Sequence, residues 1–269
     1  MTLLIKFALV ILFTVIEVGG IAALLTLLPG RGELGRRISE SFTRAPLLDL
    51  WVALLTWVPW VVAAFCAGWI GLFGSLAGQI IVLGTWCRLH EMMYETAAGG
   101  PRIVKFLNRT VGRWQNHFAL WVTLIALPGF WFIRILEIAL YWTLVVLLGF
   151  PRYKQSEWIN VSRHKFDGLV GHDLIWCLYC DWMTGVYALG AEMLRNVESF
   201  WCPIRFYDGK KCENCKVDFP DIDGGWVPAS GNMQDVDKVM NEKYTHSPRA
   251  WFGHPARLTV NGKPVDPNV

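Results

Sequence analysis

The chain has 269 residues, enough for one large domain or two of ordinary size. It is 54% hydrophobic and 17% charged, and its formal net charge of +3 is concentrated in the first half. That distribution argues against a nucleic-acid surface, which needs a basic face on the soluble part, and no run of like charge marks an acidic or basic tail.

The halves differ in character. Residues 1–150 are dominated by Leu, Val, Ile, Ala, Phe and Trp, whereas residues 151–269 have ordinary polarity. The expectation is a mainly α, polytopic membrane protein. A transmembrane helical domain over 1–150, with four to five transmembrane or re-entrant helices, precedes a small extramembrane cysteine-rich α+β domain over 151–269.

Residues 3–29 are apolar apart from Lys6 and Glu17. A span needs about 20 apolar residues, so this stretch predicts an uncleaved span rather than the shorter core of a signal peptide. A connector follows with Arg31, Arg36, Arg37 and Arg44. The apolar block from Leu47 to Cys87 is too long for one crossing and suits two, with a turn at Gly68 or at Gly71–Gly74. A second connector carries Arg88, Arg102, Lys105, Arg109 and Arg113. The third block, His117 to Phe150, contains Pro128-Gly129 and predicts a pair of short helices or a re-entrant hairpin.

Lys and Arg in short loops are held on the cytoplasmic side. Both connectors are basic, so an even number of crossings separates them. Basic residues Arg152, Lys154, Arg163 and Lys165 follow the third block. The consistent solution has the N-terminus outside and the C-terminal domain cytoplasmic.

Glu17, Arg134 and Glu137 fall at membrane depth, where an unpaired charge is costly. Arg134 and Glu137 are spaced to pair on one helix face, and a structural ion pair is expected; a proton or ion path is the alternative. The tryptophans in and beside the apolar blocks suit interfacial belts. His90 directly precedes Glu91, so the Glu-x-x-His spacing of a membrane di-iron site is absent. His117 reads as an interfacial residue.

The strongest chemical signal lies in the polar half. Cys177 and Cys180 form one C-x-x-C pair, Cys212 and Cys215 another, and Cys202 stands between them. Cys66 and Cys87 lie in apolar segments and read as inert. Apolar periodicity from Met183 to Phe200 predicts a helix capped by Asp181 or Thr184, with the first pair just before its N-terminus. Two C-x-x-C turns can aim four thiolates at one ion, which predicts a tetrahedral site. Zinc is the default occupant, and a single iron is the alternative. Cys202 and His172 are possible additional ligands. Thiol–disulfide exchange and structural disulfides compete with this reading.

Asp235 to Tyr244 predicts a surface helix, and Asn261-Gly262 predicts the turn of a small hairpin. No nucleophile-elbow, phosphate-loop or dinucleotide motif is present. The leading expectation is therefore non-catalytic: a membrane-anchored subunit or assembly factor that binds metal through four cysteines, partnered by the bilayer and other membrane subunits and not by nucleic acid. A membrane redox protein and a transporter are the alternatives.

Overall fold

The computed structural model describes residues 2–150, 152–201, 227, 230–243, 259–260 and 263–264, with backbone alone at 195, 196, 198–200, 259–260 and 263–264. These residues are mostly helical. Three helical runs are long and apolar enough to cross a membrane: Leu3–Gly30, Trp57–Met93 and Arg113–Leu148.

Helix α1, Leu3–Leu27, is an unbroken Leu-rich run. Leu28–Gly30 closes it in a 3₁₀ turn containing Pro29, which has no N–H to continue the ladder. Helix α2, Gly32–Phe42, follows; its Glu33 pairs with both Arg36 and Arg37. Helix α3 is Leu47–Leu55 and α4 is Trp57–Met93.

Helix α4 is folded back on itself. Gly68 sits at φ 62° and ψ −147°, a region open to little but glycine. The Gln79 side-chain amide donates to the carbonyls of Leu55 (3.0 Å) and Thr56 (2.6 Å). The Trp60 indole donates to the Gln79 carbonyl oxygen. A Cβ on Gly71 would meet the Ala63 carbonyl. Residues 57–67 and 69–93 therefore run as antiparallel arms. The expected turn falls at Gly68, whereas Gly71 and Gly74 are close-contact positions inside the second arm.

That second arm packs on α1 through small residues. A Cβ on Gly74 would lie 3.0 Å from Val10, and one on Gly78 would lie 2.8 Å from Thr14. Further along, Trp86 Nε1 donates to Thr26 Oγ1 at 3.0 Å. Residue numbers rise together along both helices, so they are parallel. Gly74-x-x-x-Gly78 is thus the close-approach motif that lets two apolar helices meet without a hydrophobic drive.

Helices α5 (Glu95–Gly99) and α6 (Ile103–Thr110) lead to the third run. It is continuous, not the expected hairpin or pair of short helices. It comprises α7 (Arg113–Thr123), a 3₁₀ step at Leu124–Ala126, α8 (Leu127–Ile135), a π-turn at Leu136–Leu140 and α9 (Tyr141–Leu148). Pro128 falls in the first turn of α8, where its missing N–H has no role, so Pro128-Gly129 does not break the run. Gly149, at φ 71°, ends it.

Helix α10 is Gln155–Trp158, and α11 is Gly171–Trp201. The start of α11 corrects the expected boundary. Buried Leu174, Trp182, Val186, Leu189 and Met193 carry one helical stripe through the cysteine pair, so neither Asp181 nor Thr184 is a cap. Helix α12, Met233–Lys243, matches the expected surface helix. Its start is fixed by Asn232, whose side chain accepts from Gln234 N, while Asp235 accepts from Asn232 N. Strands β1 (Thr259–Val260) and β2 (Lys263–Pro264) pair antiparallel, with Val260 opposite Lys263, as the Asn261-Gly262 signal predicts.

The chain divides into two compact units, one of residues 1–125 with 159–184 and one of 126–158 with 185–269. The polarity change near 150 is thus a boundary of composition, and the two units interleave along the sequence.

Candidate metal centre and the polar cluster at the base of the helices

Cys177 and Cys180 lie inside α11, one turn apart, and both are free thiols, half-buried. They are not at a helix N-terminus, because α11 begins at Gly171; the dipole effect expected there does not apply. Residues three apart on a helix share a face. Arg163 supplies the local charge instead. Its positive charge acts on the Cys177 sulfur, and its Nε lies 3.6 Å from Asp181 Oδ1. Asp181 in turn accepts from the backbone N–H of Ser162 (2.7 Å) and Arg163 (3.2 Å), which fixes that loop over the thiol. Burial pushes the Cys177 thiol up, against the opposing effect of the Arg163 charge.

Cys202, Cys212 and Cys215 lie outside the described residues. Among the described residues, no three His, Cys, Asp or Glu side chains group as a metal site. His172, a possible extra ligand, is placed elsewhere. Its ring stands edge-on to His117 at 5.1 Å, and its Nε2 accepts from Trp176 Nε1 at 3.1 Å. Five residues turn a helix by roughly 140° net, so His172 and Cys177 leave α11 in different directions.

The sequence reading missed a polar cluster where α11 begins. Arg102 Nε donates to Asp173 Oδ2 at 2.6 Å, and its Nη2 donates to Glu91 Oε1 at 2.8 Å and to the Val170 carbonyl at 3.0 Å. Val104 N donates to Asp173 Oδ1 at 3.0 Å. The Arg102 and Asp173 side chains are only 4% and 5% exposed. Burial alone would raise the Asp173 carboxyl, yet the nearby His172 ring and the hydrogen bonds from Arg102 and the Val104 N–H hold it below the usual range. Gly171 N donates to His90 Nδ1 at 3.3 Å. The cluster clamps the second connector and the start of α11 to the end of α4. Arg102 looked like one more connector arginine, and only its partners 11 and 71 residues away distinguish it.

Further along α11, Trp182 Nε1 donates to Asp49 Oδ1 at 3.1 Å, at the start of α3. Helix α7 runs beside this half of α11, with Trp121 edge-on to Trp176 at 6.0 Å and Tyr179 Oη donating to the Thr123 carbonyl at 3.1 Å.

In the second unit, Arg134 Nη1 donates to Glu137 Oε2 at 2.8 Å, and Nη2 donates to Gln155 Oε1 at 2.6 Å. Both ions are buried. Gly190 comes so close that a Cβ there would lie 2.9 Å from Glu137 Oε1. Glu17 is half-buried on α1, and among the described residues no ion pair involves it. Comparison with known proteins gives no match: no family model, no curated protein and no solved structure resembles the chain.

Proposed function

We propose that the chain is a multi-pass membrane subunit carrying a thiolate zinc centre on its cytoplasmic side, where it docks onto a larger membrane complex. Cys177 and Cys180 supply two ligands, and Cys212 and Cys215 the others, with Cys202 in reserve. One observation carries this reading. The thiols lie between Gly171, which abuts Cys87 and Glu91, and Trp182, which bonds Asp49. Both anchors belong to the end of the helices where the Arg-rich connectors begin.

The continuous third run removes the even crossing from which the sequence placed the following residues in the cytoplasm, so the side proposed for Cys177 and Cys180 rests on their neighbours' contacts with α3 and α4 and on the helix directions. Helix α1 and the second arm of α4 are parallel, so the chain returns between them through α3 and the first arm. Both basic connectors then share one face, which the positive-inside rule assigns to the cytoplasm. A reducing compartment favours metal over disulfides.

Local geometry argues against a cycling dithiol. Cβ atoms three apart on a helix are about 5–6 Å apart, whereas a disulfide needs about 3.5–4.5 Å. Oxidation would unwind α11 at that turn. Two thiolates at the same spacing can converge on an ion with Zn–S bonds of about 2.3 Å.

The test is elemental analysis of protein purified from membranes in mild detergent. About one zinc per chain is expected, falling to background in Cys177→Ser/Cys180→Ser with helical circular dichroism retained. Metal-free wild type, or cysteines oxidised in pairs, would overturn the metal centre. A visible band that bleaches on reduction would identify iron and the redox alternative. Recovery of the protein alone and monodisperse, with no partner, would overturn docking.

A further inference from the structure

We propose that the groove between α1 and the second arm of α4 holds one acyl chain of an anionic phospholipid, with His90 donating a hydrogen bond to its ester carbonyl. The groove encloses about 260 Å³ and is lined by Gly19, Ala22, Ala23, Val82, Trp86 and His90, among others. That is below the roughly 300–1,000 Å³ of a drug-sized site and suits a linear chain. The small residues of α1 create it. The two helices touch at Gly74 and Gly78, and Gly19, Ala22 and Ala23 leave a trough further along the same seam.

One end of the trough is polar. His90 is stacked between Trp86 and Tyr94, with ring centroids 4.6 and 4.8 Å away. Its Nδ1 accepts the Gly171 N–H. A neutral imidazole carries one N–H, so the accepting role of Nδ1 puts that hydrogen on Nε2. Nε2–H is then a donor on a ring that lines the apolar groove, suited to an ester carbonyl at the boundary of acyl chain and headgroup.

The charge around that mouth selects the headgroup. Residues 28–46 carry four arginines against two glutamates, and residues 88–113 carry five Lys and Arg against two glutamates. Glu33 holds Arg36 and Arg37, and Asp173 with Glu91 holds Arg102. Arg31 and Arg88 are exposed; Arg31 follows the turn that ends α1, and Arg88 adjoins the groove residue Leu89. Both are available for a phosphate, and an anionic lipid adds favourable charge that a zwitterionic one lacks.

The test is reconstitution of the full chain in nanodiscs of equal phosphatidylglycerol and phosphatidylcholine, followed by release into detergent and native mass spectrometry. Expected is one retained phosphatidylglycerol per chain, enriched at least fivefold over phosphatidylcholine. Arg31→Gln/Arg88→Gln should bring that ratio toward one. Ala22→Leu/Ala23→Leu, which fills the trough, should abolish retention with helical circular dichroism unchanged. Equal retention of both lipids, no retained lipid in the wild type, or extraction of a quinone from that position would overturn the proposal. Loss of the metal centre would leave these results unchanged, so the two proposals fail separately.

Discussion

Arg102→Met removes one guanidinium from the base cluster while keeping a stem of similar reach. Asp173, at 5% side-chain exposure, would keep the Val104 N–H but lose its countercharge. Breaking a buried pair on one side costs about 3–5 kcal/mol. Glu91 is 33% exposed, so water can replace its bond and it adds little. The expected loss is therefore about 4 kcal/mol, read as unfolding by SDS in mixed micelles and followed by tryptophan fluorescence. Asp173→Asn should cost about 2–3 kcal/mol, because Arg102 keeps Glu91 and the Val170 carbonyl. The double variant should show a coupling of about 1–3 kcal/mol. The pH dependence should change sense. In the wild type, burial of Asp173 is outweighed by its hydrogen bonds and its carboxyl is depressed. Its contribution is then complete above the ordinary carboxylate value of about 3.9 and is lost as pH falls through the lower folded value. Without Arg102, burial dominates and raises that carboxyl, so the variant should regain stability as pH falls through the raised value. A loss under about 1 kcal/mol, or parallel pH curves, would refute the clamp.

Gly78→Leu should cost about 1–3 kcal/mol or more, because its Cβ meets Thr14 Cβ at 2.8 Å and the Ile11 carbonyl at 3.1 Å, both fixed in α1; the same SDS titration reads it. Gly68→Val forces a β-branched residue to φ 62° and should cost about 1–3 kcal/mol, with lower yield of folded protein in membranes. Zinc retention against a chelator should fall as pH drops from about 8 to 6, since the ligands must be thiolates; burial pushes the Cys177 thiol up, so Arg163→Gln should move that loss to higher pH. Retention independent of pH in that range would remove the thiolates from the site.

The apolar blocks and the hairpin tip were legible because membrane helices are written in composition, and because a glycine between two apolar runs marks a reversal. Gly71 and Gly74 read as turn formers in the sequence, which hid the Gly74-x-x-x-Gly78 seam that the structure shows. Only the positive φ at Gly68 separates these roles. The upstream boundary of α11 was lost for a different reason. The C-x-x-C pair suggested a knuckle, and that pattern masked the stripe joining Leu174 to Trp182. The Arg102 cluster was invisible because its members are far apart in sequence and each is an ordinary polar residue. Cys212 and Cys215 remain a reading of spacing alone, in residues the structure does not describe.

The third helical run shows why its polarity is inverted. Asn116, Leu127, Arg134, Glu137 and Tyr141 are turned inward, whereas Trp114, Phe118, Ile125, Phe132, Trp142 and Leu147 are exposed. A helix surrounded by water would reverse that arrangement. The run keeps its polar line inward through two departures of opposite sense. The 3₁₀ step at Leu124–Ala126 is tighter than an α-helix, and the π-turn at Leu136–Leu140 is wider. The second departure begins between Arg134 and Glu137. Both ions are buried, so neither can exchange its partner for water. The exposed apolar face is what a run long and apolar enough to cross a membrane would present to lipid.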